Sequence, residues 1–251
     1  YSALASTTIG VTTTDNDSSG VTISTTTLSV AEGGSQGSFT VVLNSAPSTT
    51  VNITISTSSS RVVISSTTLS FTASDWNSAQ TVYVTSVNNS VADGTVTSSI
   101  TFSASSGDSA YNSISISRIT VTSTDNDTAG VTVSSTSISV TEGSTTSSFT
   151  VVLNSQPTST VNITLTTSSA RVLLSTTTLS FSSASWDTAQ TVIVTAFDNN
   201  ITDGTVTSSI TFAASSSASQ YNNISISRVV VTSTDNDTPG VTISSSVVSV
   251  T

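Results

Sequence analysis

The sequence has no cysteine, no methionine, no histidine and no lysine, and its only cations are four arginines. Without cysteine there are no disulfides, no thiol nucleophile and no thiolate metal ligand, so stability must come from packing, metal or repetition. Without histidine or lysine, a serine or threonine nucleophile has no imidazole or amine base beside it. Four arginines spread over 251 residues make no cluster that could neutralise a nucleic-acid backbone or an anionic membrane surface. Good helix formers such as Leu, Glu, Lys and Gln are scarce. No apolar run approaches the roughly 20 residues needed to span a bilayer. No signal peptide opens the sequence, which places any export signal outside this segment.

What is present is acidic, hydroxyl-rich and β-branched. Fourteen Asp and Glu give a formal net charge of -10, which suits a divalent cation as partner. Only 7% of residues are charged while 35% are hydrophobic, the opposite of a disordered composition. Ser and Thr supply the polar surface, and the abundance of Thr, Val and Ile favours strands. The expected fold class is all-β.

The tripeptide Asp-Asn-Asp occurs at Asp15–Asp17, Asp125–Asp127 and Asp235–Asp237, 110 residues apart each time, and holds six of the 14 acids. Shifting the chain by 110 residues aligns it without a gap. Glu32-Gly33 falls on Glu142-Gly143, Trp76 on Trp186, Asp93-Gly94 on Asp203-Gly204, and Tyr111 and Arg118 on Tyr221 and Arg228. A period of this length is too long for a solenoid unit and suits a self-contained sandwich. The expected organisation is two whole repeats, 18–127 and 128–237. Residues 1–17 are in register with the last strand of a preceding repeat, and 238–251 with the first strand of a following one.

Within a repeat, short alternating runs between turn residues predict about seven antiparallel strands in an immunoglobulin-like sandwich. In the first repeat these are Val21–Val30, Gly37–Leu43, Val51–Ile55, Leu69–Phe71, Gln80–Thr85, Thr95–Ala104 and Ile114–Thr124. In the last, Ile114 and Ile116 share one parity and Ile119 and Val121 the other, which predicts a β-bulge near Arg118 and another near Arg228.

The stretches SVTEGSTTSSFTVVLNSQP, TTLSFSSASWDTAQTVIVTAFDNNITDG, SITF and VTSTDND resemble the Calx-beta domain, in the version seen in long bacterial surface proteins and adhesins. The likeness covers both repeats and both terminal segments. It implies a seven-strand sandwich that binds Ca²⁺ at one end. Carried over residue by residue, the ligands would be Glu32, Asp93, Asp125 and Asp127 in the first repeat. In the second they would be Glu142, Asp198, Asp203, Asp235 and Asp237. The first repeat departs at Asn88, where the second has Asp198, and so has one carboxylate fewer.

Calcium takes 6–8 oxygen ligands, which short Asp and Asn side chains together with a distant Glu can supply. The alternative is that Asp and Asn only form an Asx-turn between repeats. Paired-carboxylate hydrolysis is conceivable. Recurrence of the same acids at every repeat suits a structural role better than one active site, so no catalytic residue is expected. Arg61 and Arg171 read as partners for carboxylates or carbonyls, and Trp76 and Trp186 as loop anchors. Sequons at Asn52 and Asn162 fall on the polar face of a strand and are candidates for glycosylation. The expected role is a calcium-rigidified, extracellular, cell-surface stalk or adhesin shaft. Its partners would be neighbouring repeats, other copies in a fibre, and surface glycans.

Overall fold

The computed structural model describes residues 7–244, 246, 247 and 250. It is all-β and divides into two compact units.

The first unit contains β1 (Val21–Ile23), β2 (Thr27–Ala31), β3 (Gly37–Leu43), β4 (Val51–Thr57), β5 (Val62–Ile64), β6 (Thr68–Phe71), β7 (Gln80–Ser86), β8 (Val96–Ser106) and β9 (Ile119–Thr124). They form a four-stranded sheet, β1-β3-β7-β5, and a five-stranded sheet, β2-β9-β8-β4-β6. Strand alternation decides which side chains are buried. In β4, Val51, Ile53 and Ile55 are buried while Asn52, Thr54 and Ser56 face solvent. Phe39 of β3 meets Phe102 of β8 edge-on, ring centroids 5.7 Å apart at 87°, across the interior between the two sheets.

The second unit repeats this order with β10 (Val131–Val133), β11 (Ser137–Thr141), β12 (Thr146–Leu153), β13 (Val161–Thr167), β14 (Val172–Leu174), β15 (Thr178–Phe181), β16 (Gln190–Ala196), β17 (Val206–Ser215) and β18 (Val229–Thr234). Its sheets are β10-β12-β16-β14 and β11-β18-β17-β13-β15. Phe149, Phe181, Ile163, Ile210, Val192 and Val231 lie at the centre of its core with no exposed surface or almost none. Burial of side chains of this size contributes about 1.5–3 kcal/mol each.

Nine elements replace the expected seven for two reasons. The run Val21–Val30 does not stay in one sheet. Its first half, β1, pairs antiparallel with β3, and its second half, β2, pairs parallel with β9. The crossing is made at Ser24–Thr26, where Ser24 N–H donates to the Thr40 carbonyl at 3.0 Å and Thr120 N–H donates to the Thr26 carbonyl at 2.9 Å. Among the described residues each unit therefore contains one parallel strand pair among antiparallel ones. The second reason is β5, a three-residue edge strand against β7 that is too short to show periodicity.

The closing strand is shorter than expected and has no bulge. Only Ile119–Thr124 is a strand. Residues 107–118 form turns and irregular backbone, with Ser113 at φ 57° and its N–H donating to the Ala104 carbonyl at 3.1 Å. Ile114 and Ile116 still pack on the core, so the parity switch arises where irregular chain gives way to strand. Asn223, at φ 58°, does the same in the second unit.

The expected terminal strands are not formed where they can be seen. Residues 7–20 and 241–244 are not in strands, while 1–6, 245, 248, 249 and 251 lie outside the described residues. Ile9 and Val11 are 83% and 81% exposed, whereas Ile119 and Val121, 110 residues on, are fully buried between neighbouring strands. The physical reason is pairing: β9 lies between β8 and β2, and residues 7–20 pair with no strand among the described residues.

Candidate metal centre

The second unit's Glu follows β11 directly, and the last acidic motif follows β18 directly. Because β11 and β18 run parallel and in register, both strands deliver their acids to the same edge. The register continues past the strands, where Glu142 N–H donates to the Thr234 carbonyl at 3.0 Å. Carboxylate oxygens of Glu142, Asp235 and Asp237 come within 4.8 Å of one another. In the first unit Glu32 N–H likewise donates to the Thr124 carbonyl at 3.0 Å, and carboxylate oxygens of Glu32 and Asp125 come within 4.8 Å of one another; Asp127 groups with the second unit. The parallel pair that the strand pattern did not foretell is what brings these acids together.

Glu142 is buried to 0% exposure. Its Oε1 accepts from Arg171 Nη1 at 3.4 Å and from Asn199 Nδ2 at 3.3 Å. Its carbonyl accepts from Asn236 Nδ2 at 2.9 Å. Asp235 Oδ2 accepts the backbone N–H groups of Asp203 and Gly204 at 2.6 and 2.7 Å, and its Oδ1 accepts that of Asp237 at 2.8 Å. The N–H of Asp237, then that of Gly204, holds the Asp235 carboxyl below its ordinary 3.8; partial desolvation opposes them, and the Arg171 charge adds to the lowering. The Asp235–Asp237 contact is itself an Asx-turn, so the turn and the carboxylate cluster coexist.

The remaining expected ligands stand at the margin of this group. Asp203 turns its carboxylate to Arg171. Asp198 is exposed, its Oδ1 3.5 Å from Asn236 Nδ2 and leaning over Gly143. Asp93 lies in the segment 89–94, which groups with the second unit. Asp15 and Asp17 are exposed, with Asp17 N–H donating to Asp15 Oδ1 at 2.9 Å.

The residues fit a divalent cation. An ion bound at about 2.4 Å requires its oxygen ligands to lie no more than about 4.8 Å apart, as these do. Asp237 Oδ2 is buried and has no hydrogen-bond partner. All donors are oxygens, the set that calcium selects. Gly143 sits at φ +60°, and a Cβ there would fall 2.6 Å from Asp198 Oδ1, so the missing side chain is what lets the Asp198 carboxylate approach.

The sequence pattern pointed to Asn236 only as the middle of the Asp-Asn-Asp motif and did not single out Asn199. Their signal was their recurrence as Asn89 and Asn126, 110 residues earlier. Arg171 pairs with carboxylates as expected, and so does Arg61, whose Nη1 lies 3.0 Å from Glu32 Oε1. Trp76 and Trp186 are half-buried and pack against the cores of their units, and their backbone carbonyls accept from Leu43 and Leu153 N–H. Asn52 and Asn162 are exposed on β4 and β13.

No family model and no curated protein matches the sequence. Among solved structures, the calcium binding domain CBD12 of CALX1.1 is 13% identical, with 85% of this chain and 99% of that one covered and a TM-score of 0.39. CBD12 from CALX1.2 is 16% identical, covers 77% and 79%, and has a TM-score of 0.35. The D0-D1 domain of intimin is 16% identical, covers 85% and 94%, and has a TM-score of 0.27. Likenesses this slight carry no weight for the site, and the sandwich architecture rests on the strands and sheets themselves. Among the described residues no helix is long and apolar enough to cross a membrane.

Proposed function

We propose that this chain is a non-catalytic structural segment of an extracellular surface fibre, stalk or adhesin, built from Calx-beta-like repeats at 18–127 and 128–237 and held by calcium at the repeat ends. The observation that carries this reading is the convergence of Glu142, Asp235 and Asp237, with one Asp237 oxygen buried and unsatisfied. Acids that meet this closely repel one another, and a divalent ion turns the repulsion into cohesion. The ligands in the second repeat are these three with Asp198 and Asp203 beside them. In the first the candidate ligands are Glu32, Asp93, Asp125 and Asp127.

When bound, the ion supplies charge neutralisation and cross-linking, not reaction chemistry. The chain's own part is positional. Parallel pairing of β11 with β18 sets the spacing of Glu142 and Asp235, and the Asp203 and Gly204 N–H groups aim the Asp235 carboxylate. The three-residue spacer Thr128–Gly130 follows the motif directly, so an ion there stiffens the connection. Exposed Asn52 and Asn162 offer amides for attached sugar on the outer sheet face.

Thermal melting in calcium and then in excess chelator tests the reading. A higher melting temperature with calcium is expected, and equal melting in the two conditions overturns it.

A second reading has its own observation. Ile9, Val11, Val241 and Ile243 are exposed, although their counterparts Ile119, Val121, Val21 and Ile23 are buried or half-buried. Such segments complete a sandwich when a neighbouring repeat or another copy supplies the missing strands. Concentration-dependent growth of the scattering mass is the expected result for exchange between copies.

A further inference from the structure

Arg171 stands on the turn between β13 and β14, and this turn is tied to the loop that carries the marginal ligands. The Arg171 carbonyl accepts the Phe197 N–H at 2.8 Å, and its own N–H donates to Ser169 Oγ at 3.2 Å. From that anchor the guanidinium reaches two carboxylates, those of Glu142 and Asp203. The first is almost wholly buried and the second 26% exposed. Arg61 repeats the arrangement. Its carbonyl accepts the Val87 N–H at 2.9 Å, its N–H donates to Ser59 Oγ at 3.2 Å, and its Nη1 meets Glu32 Oε1 at 3.0 Å. Two of the chain's four cations are thus placed on the buried glutamates of its two acidic groups.

A buried carboxylate is costly without a counter-charge, and arginine cannot discharge itself by losing a proton. The planar fork can hold two carboxylates at once. A permanent positive charge on a carboxylate that a divalent ion also needs both competes for the oxygen and repels the ion.

Resting on the calcium reading above, we propose that Arg171 and Arg61 are stand-in counter-ions. They hold the site together before the ion enters, and they set its affinity by competing for the same carboxylates. In the second unit Asp203 is the shared partner. It faces Arg171 and becomes a ligand when the guanidinium swings to solvent, a movement its 24% exposure leaves open. Competition of this kind moves affinity towards the weak range of about 10⁻⁴–10⁻³ M found in extracellular calcium modules.

Calorimetric titration of the full chain with calcium tests this in wild type, R171Q, the double variant R61Q/R171Q and R171K. The double variant is expected to bind about tenfold more tightly at both sites, a coupling of ordinary allosteric size, while melting at a lower temperature in chelator. R171K, which keeps the charge, is expected to bind close to wild type. Loss of a purely structural ion pair would lower the melting temperature without tightening binding. Where a variant folds only with calcium present, the rise in melting temperature on adding calcium carries the same comparison, and a larger rise than in wild type is expected. If wild type binds calcium and the glutamine variants bind no more tightly, the counter-ion role falls and the calcium reading stands. If neither wild type nor variants bind calcium, both fall together.

Discussion

The Tyr221 hydroxyl makes three contacts with one residue. It donates to the Ser155 carbonyl at 2.6 Å, accepts the Ser155 N–H at 3.0 Å, and lies 2.9 Å from Ser155 Oγ. Tyr221 is 1% exposed and Ser155 fully buried, and this phenol fastens a turn after β17 to the loop after β12. Tyr111 and Ser45 repeat the arrangement in the first unit. Y221F leaves a buried N–H and carbonyl without their partner and is expected to cost about 1–3 kcal/mol, read by denaturant unfolding. A variant as stable as wild type would remove the tie from the account of the fold.

Asp237 gives a prediction whose sign depends on calcium. Its Oδ2 is buried without a hydrogen bond beside Glu142 and Asp235. D237N removes one of three converging charges, so melting in chelator is expected to rise by about 4 °C for each kcal/mol of repulsion relieved. On the calcium reading the same change removes a proposed ligand, so the calcium-dependent rise is expected to shrink. Melting curves in both conditions check the two signs together.

Gly143 carries a conformational and a steric demand. Its φ is +60°, and an added Cβ would meet the Asp198 carboxylate at 2.6 Å. G143A is expected to lose about 1 kcal/mol of stability from backbone strain and to push Asp198 away from the site. Weaker calcium stabilisation in G143A than in wild type would register the displacement of Asp198.

Ser233 has a buried hydroxyl with no partner. Its counterpart Ser123 is hydrogen-bonded to Ser86, but position 196, which corresponds to Ser86, is an alanine. A196S restores the partner and is expected to stabilise the second unit by about 1 kcal/mol, and S233A is expected to be neutral or stabilising. Chemical denaturation of each variant decides.

Two acids make the first unit sensitive to low pH. The Asp75 carboxyl is held below 3.8 chiefly by the Thr72 backbone N–H, with the Thr72 hydroxyl adding. That of Asp108 is held below 3.8 by the N–H groups of Ser48 and Ala110 and by the Ser48 hydroxyl. The folded state therefore binds protons less readily than the unfolded chain. The stability these groups contribute is complete above the unfolded value of 3.8 and is lost as pH falls through their lower folded values. D75N/D108N is expected to flatten the fall of melting temperature below about pH 4. The second unit has Ser185 and Ala218 at these positions, so neither acid contributes there.

Much of this protein is legible without coordinates because sheet burial follows a period of two. Val51, Ile53 and Ile55 announce an inward face, and the 110-residue recurrence announces a unit that folds as often as it is repeated. The candidate acids are named by the resemblance to the Calx-beta domain, and their 110-residue recurrence marks them in both repeats. Local pattern carries no information about which neighbour a strand chooses. The division of Val21–Val30 between two sheets, the parallel pairing of β11 with β18, and the irregular path of 107–118 follow from hydrogen bonds between residues far apart in the chain. Those choices turn Glu142 and Asp235, 93 residues apart in the chain, into neighbours at one strand end. They also set the charge of Arg171 against the carboxylates where the ion would bind. Composition and period determined the elements and the inventory of oxygens; long-range pairing alone decided which oxygens meet.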